Sequence, residues 1–214
     1  MNKNMYPYTV NVSGQSLISV EPNQANIQLG VVTIESQANQ AQQSNAATSQ
    51  QVIQSILSLH IPRENIQTVE YTIFPQYDFH DGVQQFQGYQ VTHIFRIQTD
   101  DINQLGSIVD LATSHGANRI ERITFSVKNR DQIYQQALQI ALSNAYEKAC
   151  SLAQTMRVPL QPIPIRIIED TVSPPVIPYH SFQSQEMVAG VSTPIEAGKI
   201  DIEAELTVTF RYTS

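Results

Sequence analysis

Residues 200–212 read Ile-Asp-Ile-Glu-Ala-Glu-Leu-Thr-Val-Thr-Phe-Arg-Tyr. Ile200, Ile202, Ala204, Leu206, Val208, Phe210 and Tyr212 alternate with polar or charged neighbours. Side chains alternate faces along a strand, so this is a half-buried strand with one apolar and one wet face. The apolar face must be buried against another layer, and the charged face meets water, a polar lumen or a partner. Long helices with a matching apolar stripe fit such a face.

Two appear. In residues 130–156, Ile133, Ala137, Ala141, Ala145, Ala149 and Ala153 recur at four-residue steps, flanked by Leu138, Leu142, Leu152 and Met156. An alanine ridge buries little area, but it lets a long helix lie close on a sheet. Asn129 and Gln132 are spaced as a capping box. A second helix is expected from Gln37 to Leu59, capped by Ser36 and stopped by Pro62. Its face holds Ala38, Ala41, Asn45, Thr48, Val52, Ile56 and Leu59. Asn45 on that face requires a buried partner, because an unpaired amide costs about 1–3 kcal/mol.

The remaining segments follow the same logic. Tyr6, Tyr8, Val10 and Val12 alternate up to Gly14, where a bulge is expected before Leu17 to Val20. After a turn at Pro22-Asn23, Ala25, Ile27, Leu29 and Val31 form a second strand; the two are expected to pair. Strands around Val69–Tyr77 and Tyr89–Ile97 make a hairpin about a polar loop, Asp78 to Gly88. A short helix from Asp101 turns Leu105, Ile108, Val109 and Ala112 inward and stops at Gly116. Ile123–Val127 and Ile163–Ile167 complete the strands.

The expected fold class is α+β: two βαββ-like halves, with long helices packed on antiparallel sheets. The halves are placed at 1–100 and 119–214, joined by a connecting helix at 101–118. Both cap-to-strand spacings, Ser36 to Ile73 and Asn129 to Arg166, are equal, which suggests a duplication. The second half carries a long loop, 170–199, rich in proline yet holding Val176, Ile177, Tyr179, Phe182, Met187 and Val188. Three readings stay open for it: folded onto its own domain, an arm packing on a neighbouring subunit, or a disordered tether. Under the second, those six residues form an oligomer interface.

The chain has 214 residues, 12 basic and 19 acidic side chains and a net charge of −7. That balance, with no basic run, disfavours nucleic acid. One cysteine, Cys150, excludes an internal disulfide framework and a multi-cysteine metal site. No apolar run approaches the length of a transmembrane segment. No secretory leader opens the chain, which reads as soluble and cytoplasmic; a mature chain whose leader had been removed would look the same and would be exported.

No phosphate loop, nucleophile elbow or zinc-protease motif is present. His93 lies on the apolar side of its strand, as a core or interface histidine would. The Asp78–Asp81 cluster carries ordinary turn residues. Cys150 reads as a small packing residue. Asp201, Glu203 and Glu205 line one strand face, as a solvated face does. No catalytic residue, metal site or cofactor is expected.

The ordered set of motifs resembles the SIMPL-domain family, a domain of unknown function. It comprises Val12-Ser13-Gly14-Gln15, Pro22-Asn23-Gln24-Ala25, then Ala38, Ala41 and Asn45, and Ile66-Gln67-Thr68 leading to Tyr71 and Pro75-Gln76-Tyr77. Gly88-Tyr89-Gln90-Val91, Gly116-Ala117-Asn118-Arg119-Ile120, the Ala137 to Lys148-Ala149 run and Gly198 complete it. Gln15 and Ala197 depart from the family's usual Gly and Pro. The resemblance implies long helices on antiparallel sheet, and large ring- or channel-like assemblies of bacterial proteins linked to stress or envelope functions. It implies no catalytic residues.

Three functions are weighed. The first is a non-enzymatic, self-assembling protein whose main partner is itself, a homo-oligomer. The second is a small-ligand or peptide-binding module with Tyr71, Tyr77, Phe79, Phe86 and Tyr89 as an aromatic wall. The third is an enzyme using His93 or the acidic row, which needs a cleft where such groups converge.

Overall fold

A computed structural model of the chain describes residues 8–80, 83–170 and 193–213. Its strands are β1 (Thr9–Val20), β2 (Gln24–Glu35), β3 (Ile66–His80), β4 (Val83–Thr99), β5 (Arg119–Ser126), β6 (Arg166–Asp170) and β7 (Ile200–Arg211). Its α-helices are α1 (Ala38–Leu57), α2 (Leu105–Ser114) and α3 (Arg130–Met156). The fold is α+β, as expected. All pairings are antiparallel, in one sheet ordered β1-β7-β6 and another ordered β3-β4-β2-β5.

The expected pairing of the first two strands does not occur. β1 pairs along its whole length with β7, from Thr9 opposite Arg211 to Val20 opposite Ile200. β2 lies between β4 and β5. Two compact units result, and they cut across the consecutive halves 1–100 and 119–214. One comprises residues 8–21, 128–170 and 199–213; the other comprises 22–127 and 193–198.

In the first unit α3 packs on β1 and β7. Its bounds match the expected helix, and Ile133 with all five ridge alanines is buried. Ala137, Ala141, Ala145 and Ala149 share a core with Val12 of β1 and with Ala204, Leu206, Val208 and Phe210, the inward row of the opening motif. Gly14 makes no bulge; β1 runs through it in register. A Cβ there would lie 1.9 Å from the Ala141 carbonyl oxygen, so this glycine marks where the helix touches the strand. Three side chains clasp the contact. Ser16 Oγ donates to the Ala137 carbonyl (2.7 Å), Asn144 Nδ2 to Gln15 O (2.9 Å) and Lys148 Nζ to Ser13 O (2.8 Å).

In the second unit α1 packs on β2 and β4, with α2 beside it. Ala25, Ile27, Leu29 and Val31 meet Val52, Ile56, Phe95, Ile97, Leu105 and Ile108 in one core. Asn45 is fully buried and satisfied. Its Nδ2 donates to Val31 O (3.0 Å) and Val91 O (3.2 Å), and its Oδ1 accepts from Ser49 Oγ (3.2 Å). Gly116 ends α2 at φ 105°, and a Cβ there would strike Thr48 Cγ2. Thr193 bonds to the Asp110 carboxylate through its backbone and hydroxyl, and Ile195 packs on the core. The described end of the long loop, residues 193–198, is thus anchored in the second unit, although β6 and β7 on either side of the loop belong to the first.

The expected caps change. Gln37, not Ser36, precedes α1, and neither it nor Asn129 makes a side-chain capping bond. Asp101 does cap, accepting from Asn103 N at 3.0 Å. The predicted polar loop at Asp78 to Gly88 is mostly strand. β3 runs to His80 and β4 begins at Val83, because Tyr77 faces Phe86 and Phe79 faces Gln84 across the ribbon.

Candidate functional site

Two surface features of the second unit concentrate chemistry. The first is the outer hairpin. Pairing of β2 with β4 ends at Glu35 opposite Tyr89. Beyond that point β3 and β4 continue as a two-stranded ribbon, Gln76–His80 against Val83–Gly88. Phe74 is 60% exposed, Phe79 69% and Val83 63%, and Tyr71, Tyr77 and Phe86 are exposed too. Tyr77 stacks edge-on against Phe86 (5.6 Å), and Phe86 against Tyr89 (5.3 Å). The rings brace each other while remaining in water. The aromatic wall expected from the sequence is therefore on the surface, with Tyr89 half-buried at its root.

The second feature is a groove of about 370 Å³ between α1 and the β3–β4 face. It exists because α1 covers β2 and β4 but barely reaches the edge strand β3. Gln50, Ile53, Gln54 and Leu57 line it from the helix, and Tyr71 and His93 from the strands. A register shift between Thr68 and Glu70 inserts an extra residue into β3 beside it.

His93 is half-buried rather than in the core. Its Nε2 shares a hydrogen bond with Thr68 Oγ1 (3.0 Å), Tyr71 stands edge-on to it (5.0 Å), and Phe95 lies 4.2 Å away between centroids. Partial burial holds its pKa below the usual histidine value. No carboxylate is among the hydrogen-bond partners of His93 in the described residues.

The remaining candidates are dispersed. Asp201 accepts from Ser19 Oγ and Glu205 from Gln15 Nε2 (2.6 Å), so the acidic row bonds to its neighbour strand. Cys150 is half-buried in α3 beside Tyr146, whose hydroxyl pKa is raised first by its hydrogen bond with that thiol. Asp78 accepts from Phe79 N (2.8 Å), while Asp81 lies outside the described residues. So do Val176, Ile177, Tyr179, Phe182, Met187 and Val188. Among the described residues, no group of three or more His, Cys, Asp or Glu side chains gathers to hold a metal ion, and no helix is long and apolar enough to cross a membrane.

The groove itself is absent from the sequence reading. Its signal was a position on α1's flank opposite an edge strand, and strand order is not visible in local periodicity.

The chain is similar to known bacterial proteins over most of its length. It is 24% identical to the 26 kDa periplasmic immunogenic protein of Brucella melitensis over 212 residues, spanning 95% of this chain and 84% of that one. It is 26% identical to the uncharacterized protein YggE of Escherichia coli K12 over 153 residues, spanning 71% of this chain and 61% of YggE. The sequence model of one family, described as SIMPL, protein of unknown function (DUF541), matches residues 10–210, and the chain belongs to that family.

Proposed function

We propose that the chain is a non-enzymatic, self-assembling protein of the bacterial envelope, and that copies meet through the outer β3–β4 ribbon. The observation that carries this is the ribbon's surface. A two-stranded hairpin is marginal in water by itself. This one carries exposed Tyr77, Phe79 and Phe86 on one face and exposed Val83 on the other, with Asp78 as its sole charged carboxylate among the described residues. An exposed aromatic cluster of that kind marks an interaction site. Among the described residues the outer edge of β3 has no neighbouring strand, and it offers backbone groups to another one. Repetition of one contact about a rotation axis would close a ring, in keeping with the assemblies and the stress-linked role that the SIMPL resemblance implies.

The envelope location rests on the relative named as periplasmic. The cytoplasmic expectation has no support among the relatives. In light scattering the intact chain is expected well above 24 kDa. Replacing Tyr77, Phe79 and Phe86 together by Ser should lower that mass, and so should replacing the six apolar residues at 176–188. A strictly monomeric intact chain rejects assembly.

The exposed rings also favour a second reading, a peptide- or small-ligand-binding module. A monomer that binds aromatic peptides, and loses them with the same triple substitution, would establish it instead.

A further inference from the structure

We propose that the groove beside His93 binds a small organic carboxylate with a flat or branched apolar body. The inference stands apart from assembly; for the second reading it supplies a place and a ligand chemistry.

Charge comes first. The chain carries 19 acidic against 12 basic residues, yet among the described residues no acidic side chain lines this groove. Its one full charge among them is the Arg63 guanidinium, from the short 3₁₀ turn Arg63–Asn65 that leads into β3. Among the described residues Arg63 has neither an ion pair nor a side-chain hydrogen bond. Its planar fork matches a carboxylate bidentately. Gln50 and Gln54, one turn apart on α1, add amide donors to the same rim.

Shape comes second. Ile53 and Leu57 give the groove an apolar side, and Tyr71 with His93 gives it a flat aromatic one. The edge-on Tyr71–His93 contact and the Thr68 bond to Nε2 hold the imidazole in place. Nδ1 is left without a protein hydrogen-bond partner in the described residues. A volume of about 370 Å³ is at the lower end of small-molecule sites, which excludes a folded polymer and suits a ligand of roughly ten to fifteen heavy atoms. The larger hollow nearby, lined by Ala47, Gln51, Ser58 and His115 among others, has no Arg or Lys, and His115 Nδ1 is already bonded to its own helix.

The test uses the full-length chain with 3-phenylpropanoate as probe and 3-phenylpropan-1-ol as its uncharged counterpart, followed by calorimetry and the His93 ring resonances. The carboxylate should bind at least about tenfold more tightly than the alcohol, as a charged hydrogen-bond pair implies. Arg63→Gln should weaken the carboxylate about tenfold and leave the alcohol unchanged, and Arg63→Lys should recover part of the loss. Arg63 is exposed, so neither variant threatens the fold. Equal affinities for acid and alcohol, no effect of Arg63→Gln, or no saturable binding of the acid at millimolar concentration would overturn the proposal. Light scattering on the same samples reads assembly separately, so failure of one does not mimic failure of the other.

Discussion

α3 and α1 do the same job in two different ways. Within its own unit each comes after one strand, β1 for α3 and β2 for α1, crosses an antiparallel sheet and returns through two more strands. In both units the last of those strands is central and pairs with the first: β7 with β1, β4 with β2. α3 achieves contact by proximity, with five alanines against a strand that has a glycine at the touching point. α1 achieves it by bulk and one polar anchor, with Val52, Ile56 and the buried Asn45 amide. The lesson is that one topology tolerates two packing chemistries, but each has its own weak point. The close-packed unit fails by expansion, and the anchored unit by loss of a hydrogen bond.

The largest effect is expected from expansion. Gly14→Val must displace the Ala141 carbonyl and should destabilise by about 3 kcal/mol or more, read in chemical denaturation. Amide exchange should rise most in α3 and β1. If Gly14→Val costs less than Asn45→Ala, the contrast is broken. Asn45→Ala should cost about 1–3 kcal/mol by removing the donor to Val31 O and Val91 O, with Asn45→Asp at least as damaging because it cannot donate to both. Lys148→Met should cost only about 0.5–1.5 kcal/mol, since its bond to Ser13 O is exposed and water can replace it.

The smallest effect is a pH dependence confined to the second unit. The folded-state pKa of His93 is lowered, so the unfolded chain takes up the proton first as pH falls. Its contribution is complete above the usual histidine pKa of about 6.5 and is lost as pH drops below that value toward the folded one. The wild-type chain should therefore lose more thermal stability between pH 7.5 and 5 than His93→Gln does. Identical pH profiles would mean that His93 is not held neutral by its surroundings.

Local periodicity carried the elements well. The alternation at 200–212 and the alanine steps from Ala137 to Ala153 each specify a face, and both faces are buried as read. Asn45 was legible too, because a lone amide on an apolar stripe demands a partner. Pairing was not legible. β1 and β2 are equally long and joined by a tight turn, and although the alternation of β2 slips near Gly30, nothing local says that β1 belongs to β7. Gly14 held that information in disguise: it looked like a strand irregularity and is a helix contact. The hairpin was underestimated because Gln-rich stretches read as loop, whereas Tyr77 and Phe86 keep the ribbon paired. For the site, the exposed aromatics were readable as a list, but the groove depends on which strand lies at the edge.

The marriage of the first strand to the last has a temporal side. Gln15 and its partner Glu205 are 190 residues apart, so β1 must wait for the synthesis of those residues before it can be matched. At ordinary elongation speeds that delay is on the order of 10–40 s. Throughout it the intervening Pro22–Val127 stretch has its own core to settle into, while the leading segment stays uncommitted. Such a design leaves the β1 segment open to helper proteins until β7 has been made.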